Sequence, residues 1–170
     1  MLPGFLTPEA ITQIVAEIDR AAPKAYSCNE VHNVFLEEDD ISFPEDHPRR
    51  QNEKTSLGSL AYDNIEQGDA LRTLYEWDPL LHFVTAVLGE KKMYRMADPM
   101  AALTVNVMNN GQNHGWHFDE SLVTTTVILQ KPLEGGEFQY ITDLRGEDWN
   151  DYVSLNDVLS GNEDRIQTLP

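Results

Sequence analysis

His117 and Asp119 stand two residues apart in the run Asn113-His114-Gly115-Trp116-His117-Phe118-Asp119-Glu120. In an extended backbone, side chains at i and i+2 leave the same face, so an imidazole nitrogen and a carboxylate oxygen can converge on one metal ion. Two histidines and one carboxylate, with further coordination positions left open, form the donor set that suits non-haem Fe(II). The chain offers two of those three donors: its histidines are His32, His47, His82, His114 and His117, and none follows His117. Without a metal, the same pair reads as a strand histidine hydrogen-bonded to its neighbouring carboxylate.

The rest of the chain must position that pair. A chain of 170 residues with 41% hydrophobic content can bury one substantial core, so a single domain over 1–170 is expected. The formal net charge of -17 argues against nucleic acid and anionic membrane surfaces, which are bound through Lys and Arg. It fits a cationic or neutral small-molecule substrate better, although surplus acids also simply keep a protein solvated. Cys28 is the single cysteine, which rules out an intrachain disulfide and favours an intracellular compartment. Residues 1–10 lack a basic segment and a long apolar run, so the expected localisation is cytoplasmic.

Thr7-Pro8-Glu9 supplies an N-cap, a proline at the first helical position and an acid in the first turn; Ile11, Ile14, Val15 and Ile18 then follow at helical spacing. This helix should end before Pro23. Val31 to Leu36 could be a strand, and 37–55 is too rich in charge and proline for a core element, so it reads as a long loop. Asp69 opens a second helical pattern, and Asp78-Pro79 a third that stops at Gly89. Residues 1–92 are therefore mainly helical. In 93–170 the period changes: Leu103, Val105 and Val107 alternate with Thr104, Asn106 and Met108, a two-faced strand. Asn109-Asn110-Gly111 makes a turn, 114–119 is extended, 122–130 is β-branched enough for a central strand, and 137–141 is another strand. Residues 148–159 are acidic and weakly periodic, a helix or an irregular excursion ending at Gly161. Helices first and strands later give an α+β class.

The stretch from Leu103 to Tyr140, with the turn before His117-Phe118-Asp119 and the later Gly135-Gly136-Glu137-Phe138, resembles the core of the Fe(II)/2-oxoglutarate-dependent dioxygenases. The resemblance implies a double-stranded β-helix (jelly-roll) core with N-terminal supporting helices, and 93–170 would be the first part of that core. It also implies Fe(II) as the metal, 2-oxoglutarate as co-substrate and O2 as oxidant, with hydroxylation of an unactivated C–H bond as the outcome. In the related radical halogenases a small residue replaces the carboxylate and leaves a position for halide; Asp119 fills that position, which favours a hydroxylase. The spacing is similar to a subgroup acting on free amino acids, including lysine hydroxylases and halogenases. There a histidine three positions before the first ligand and an acid just after the motif touch the substrate. His114 and Glu120 match those positions, and Glu120 would suit a cationic amino acid.

Other candidates rest on placement alone. Asn106 and Thr126, with Thr124 on the same face, could bond the keto-acid co-substrate, although threonine is also a good strand former. Trp116 could wall the substrate pocket or fill the core. Arg72 could pair with a substrate carboxylate or spend itself in a surface ion pair. His32, His47 and His82 read as core or surface histidines.

The family's second metal histidine comes from a later strand and is followed by the arginine that binds 2-oxoglutarate. Arg145 and Arg165 follow no such histidine, so that role is not carried over to either. Gln167-Thr168-Leu169-Pro170 reads as the approach to a further turn and strand. The expectation is a chain incomplete at its C-terminus, with the third ligand absent from it and little turnover by these residues alone. Unfinished strand edges would then invite a homodimer. Two rival readings remain: a β-helix fragment with a binding or assembly role, and a cupin-like metalloenzyme on a similar barrel with no keto acid.

Overall fold

The computed structural model describes residues 2–146 and 148–169, and they fall into two compact units. The first comprises 1–28 and 57–110, the second 29–56 and 111–170. Among the described residues, no helix is long and apolar enough to cross a membrane.

In the first unit, α1 (Pro8–Ala21) begins where the capping signals place it. Thr7 Oγ1 accepts from the Ala10 amide at 3.2 Å, and Ile14 and Ala21 are buried. Near its far end Glu17 and Arg20 reach the start of α2 (Ala70–Glu76): Glu17 Oε2 accepts from the Ala70 amide at 2.7 Å, and Arg20 Nη2 donates to Asp69 at 2.7 and 2.9 Å. A carboxylate on the first amide of a helix satisfies an orphan donor at the positive end of its dipole. α3 (Asp78–Val87) follows, with proline in its first turn.

The strands are β1 (Tyr26–His32), β2 (Glu53–Ala61) and β3 (Thr104–Val107), in sheet order β1-β2-β3. β1 and β2 each contribute one end to each unit. β3 runs antiparallel to β2, with Gly58 opposite Val107 and Ala61 opposite Thr104. Gly58 is required by closeness: a Cβ there would lie 3.2 Å from Ala25 Cβ and 3.4 Å from the Val107 carbonyl oxygen. β2 corrects the reading of 37–55 as loop throughout, because pairing begins at Glu53. Its charged opening and small Ser and Gly residues mute the alternation, yet Thr55, Leu57 and Leu60 are buried.

The second unit is built round Val34, Phe35, Leu144, Leu155 and Val158, with Trp116, Phe118, Ile141 and Tyr152 packed against them. Val34 and Phe35 belong to a turn, and not to the strand expected over 31–36. Asn33, itself buried, accepts from the amides of Phe35 at 3.0 Å and Glu37 at 3.3 Å and donates to the carbonyls of Glu37 and Arg49 at 2.9 and 2.8 Å. All four bonds of one amide side chain favour the turn over continued extension, and Leu36 takes a φ of +57° to complete it. Arg49 lies over the Phe35 ring at 4.5 Å and pairs with Glu37, so the 37–52 loop is tied down despite its charge.

α4 (Tyr152–Leu159) is capped by Asp151, whose carboxylate accepts from the Ser154 amide at 3.1 Å; Leu155 and Val158 face the core. β4 (Gln139–Tyr140) pairs antiparallel with β5 (Gln167–Thr168), a shorter strand than 137–141. The central strand expected over 122–130 takes no strand pairing among the described residues, and Leu122, Val127 and Ile128 are exposed. Strand propensity describes a half-buried pleated surface and creates no ladder without a neighbour. No closed barrel is formed among the described residues.

Candidate metal centre

Gly115 fixes the entry to the His117–Asp119 segment. It is buried against β2, where an added Cβ would stand 2.9 Å from Glu53 Cβ and 3.1 Å from the Lys54 carbonyl oxygen. Three hydrogen bonds hold this approach: Gly115 N–H to Thr55 Oγ1 at 3.1 Å, Trp116 N–H to Glu53 Oε2 at 3.2 Å, and Phe118 N–H to the Val34 carbonyl at 2.8 Å. Thr55 also meets His32 Nε2 at 2.7 Å, while His32 Nδ1 lies 2.9 Å from the Asn33 carbonyl oxygen. A carbonyl only accepts, so Nδ1 of His32 carries the proton and Nε2 takes the threonine hydroxyl. Both nitrogens of His32 are thus used structurally.

Beyond Gly115 the side chains alternate. Trp116 and Phe118 pack against the core, Phe118 with its ring centroid 5.3 Å from that of Phe35. His117 and Asp119 emerge together on the other side, His117 Nε2 lying 3.4 Å from Asp119 Oδ1, with the Asp119 side chain 54% exposed. His117 Nδ1 is 2.8 Å from the Gly115 carbonyl oxygen and must donate to it, which leaves Nε2 with its lone pair toward Asp119. This backbone tie is what orients a metal-binding imidazole and fixes its tautomer. Two lone-pair atoms 3.4 Å apart need a cation between them, a proton or a metal ion. Donor atoms this close could both bind one first-row divalent ion. The donor chemistry therefore fits. Among the described residues, no group of three His, Cys, Asp or Glu side chains is assembled for a metal, so these residues supply two donors.

His114 stacks on His117, ring centroids 4.3 Å apart. Dehydration of its ring, then repulsion from His117 and His32, lowers its pKa from 6.5 to about 4, against a smaller opposing pull from Asp119. The residue keeps an open edge, so the crowding acts on its inner side, and the ring is neutral at neutral pH. Glu120 is exposed at the start of the following turn. Trp116 serves the packing beneath the segment. Thr124 and Thr126 are exposed on the unpaired stretch after it.

Asn106 and Arg72 lie in the first unit. Asn106 sits on the exposed face of β3 opposite Ser59. Arg72 donates to Glu76 and to the Ile65 carbonyl, both at 3.1 Å, with its guanidinium 4.3 Å from the Tyr62 ring centroid. His47 is stacked between Phe43 and Tyr152 at 4.2 and 4.5 Å, and His82 is exposed on α3. Sequence reasoning passed over Gly115, Thr55 and Glu53, which aim the segment. The glycine between two histidines was the available signal, whereas nothing in 53–55 announces a contact sixty residues away.

A family model described as Halogenase D matches residues 12–168. The chain belongs to the Halogenase D family. No curated protein and no solved structure matches it. Membership agrees with the resemblance to oxygenases and halogenases at the coarse level of a halogenase-like enzyme, and the matched span includes both units. His117, Asp119 and the double glycine at 135–136 all fall inside it.

Proposed function

We propose that this Halogenase D family chain carries part of the active site of an Fe(II)- and 2-oxoglutarate-dependent oxygenase that hydroxylates a free basic amino acid. The observation that carries this reading is the convergence of His117 Nε2 and Asp119 Oδ1 at 3.4 Å with the imidazole tautomer fixed by the Gly115 carbonyl. Among the described residues no second histidine joins this pair as a third donor, and the core is proposed to belong to a double-stranded β-helix. In that class the unpaired stretch 122–130 has a natural use as a strand of the barrel.

When bound, Fe(II) supplies the coupling of keto-acid decarboxylation by O2 to oxygenation of a C–H bond. His117 contributes a neutral nitrogen and Asp119 a negative charge, which together hold a divalent ion while leaving positions for small molecules. Glu120, next in sequence and exposed, offers a carboxylate to a cationic side chain or ammonium group. His114, uncharged, can hydrogen-bond substrate without placing a second positive charge beside the metal.

The family description favours halogenation as the second reading. Asp119 opposes it, since a carboxylate on the metal takes the position a halide needs. Fe(II), 2-oxoglutarate and O2 are supplied with a panel of basic amino acids, with and without chloride, to the protein. The expected result is succinate with a product heavier by one oxygen, both lost in Asp119→Ala. A chloride-dependent chlorinated product would establish the halogenase reading, and product formed without succinate would point to the cupin-like alternative.

A further inference from the structure

Arg145 touches the metal-binding segment twice without touching its carboxylate. Its Nη2 donates to the Asp119 backbone carbonyl at 3.0 Å, and its guanidinium carbon stands 4.4 Å from the centroid of the Phe118 ring. The arginine rises from a fixed base. Leu144 before it is buried, the Asp151 amide donates to the Leu144 carbonyl at 2.9 Å, and the Gly146 amide donates to the Trp149 carbonyl at 2.9 Å. Arg145 itself forms an antiparallel bridge with Asn150. Phe118 is held from the other side by Val34 and Phe35. The segment is thus gripped at the ring before Asp119 and at the carbonyl of Asp119.

What the guanidinium leaves alone matters equally. An arginine this close commonly takes a carboxylate in a two-pronged pair, which would neutralise the donor a metal requires. Among the described residues, the ion-pair neighbour of the Asp119 carboxylate is His117, at 3.4 Å. The planar fork lies on an aromatic face and spends a donor on the backbone, a combination lysine's point charge does not reproduce.

We propose that Arg145 is a positioning residue that pins the Asp119 backbone, so that the carboxylate stays turned toward His117 and open to the metal. This rests on the metal reading above. The test uses the full chain with Arg145→Met and Arg145→Lys, reading amide exchange without metal and Co(II) affinity with its visible spectrum. Exchange at Phe118, whose amide donates to the Val34 carbonyl, is expected to quicken in both variants. Co(II) binding should weaken about tenfold in Arg145→Met, as for other groups that orient ligands, and less in Arg145→Lys. The melting temperature should fall by only about 2–4 °C in Arg145→Met, for the loss of one hydrogen bond of about 1 kcal/mol. Unchanged exchange in both variants would overturn the pin, and unchanged Co(II) affinity and spectrum would overturn its bearing on the carboxylate. Asp119→Ala separates the two failures: if it leaves Co(II) binding as in the parent chain, the metal reading falls, while the metal-free exchange judges the pin by itself.

Discussion

Gly115→Ala tests whether the His117–Asp119 segment is aimed by its contact with β2. The new Cβ would lie 2.9 Å from Glu53 Cβ and 3.1 Å from the Lys54 carbonyl oxygen. β2 is the middle strand of its sheet, with Thr55 and Leu57 buried, so the segment must yield instead. Reaching about 3.5 Å between carbons, the near end of favourable contact, requires a shift of about 0.6 Å. The same shift directed away from β2 lengthens Gly115 N–Thr55 Oγ1, now 3.1 Å, and Trp116 N–Glu53 Oε2, now 3.2 Å. Both pass beyond the range of a useful hydrogen bond. Two bonds at about 1 kcal/mol each and about 1 kcal/mol of residual overpacking give a loss of about 3 kcal/mol. At roughly 2–4 °C per kcal/mol for a chain of this size, the melting temperature should fall by about 6–12 °C, read by circular dichroism. Co(II) affinity should fall with it, because His117 is oriented by the Gly115 carbonyl. A variant that melts within about 2 °C of the parent and binds Co(II) equally well would refute the idea that this approach aims the site.

Asn33→Ala removes two donors and two acceptors from a buried turn, and at 0.5–1.5 kcal/mol per bond should cost about 3 kcal/mol; faster proteolysis within 37–52 is the accompanying readout, and an unchanged digest would count against the tie. Thr7→Ala deletes the α1 cap and should cost about 1 kcal/mol, measured by urea midpoint at constant slope. Asp151 has its pKa lowered chiefly by the backbone and side-chain hydrogen bonds of Ser154. The proton therefore prefers the unfolded chain, and the cap's contribution is complete above the ordinary carboxyl value of 3.8 and is lost as pH falls through the lower folded value. Asp151→Asn keeps an acceptor without that titration, so the urea midpoints of parent and variant should converge on acidification below pH about 4; parallel curves would exclude the linkage.

The helices were legible because their signals are local. Thr7-Pro8 starts α1, Asp78-Pro79 starts α3, and the apolar spacing between such marks needs no distant partner. The same holds for the alternation at 116–119, which by itself puts His117 and Asp119 on one face. β2 was not legible, since it is made a strand by neighbours on both sides rather than by its own residues. Conversely, 122–130 has the composition of a strand and lacks the neighbour. Val34 and Phe35 show a third case: both are buried, but Asn33 bends the chain at that point and they enter the core from a turn and not from the strand expected there. Long-range geometry of this kind, like the reach of Arg145 back to Asp119, leaves no periodic trace.

The tension between the family's description and Asp119 can be resolved from the chemistry of one side chain. A halide and a carboxylate are both monoanions, so either preserves the charge balance of a divalent metal held by neutral histidines. They differ in tethering. A carboxylate attached to a pinned backbone is present at high local concentration and does not exchange, whereas a halide must compete from solution for a vacant position. In the proposed oxygenase, Asp119 would set the default outcome toward oxygen insertion as long as its backbone is held where the carboxylate reaches the metal. There the decision would lie jointly with Asp119, with Gly115, which brings the segment to β2, and with Arg145, which holds the carbonyl beyond it. Shortening the side chain would free the position without moving that frame.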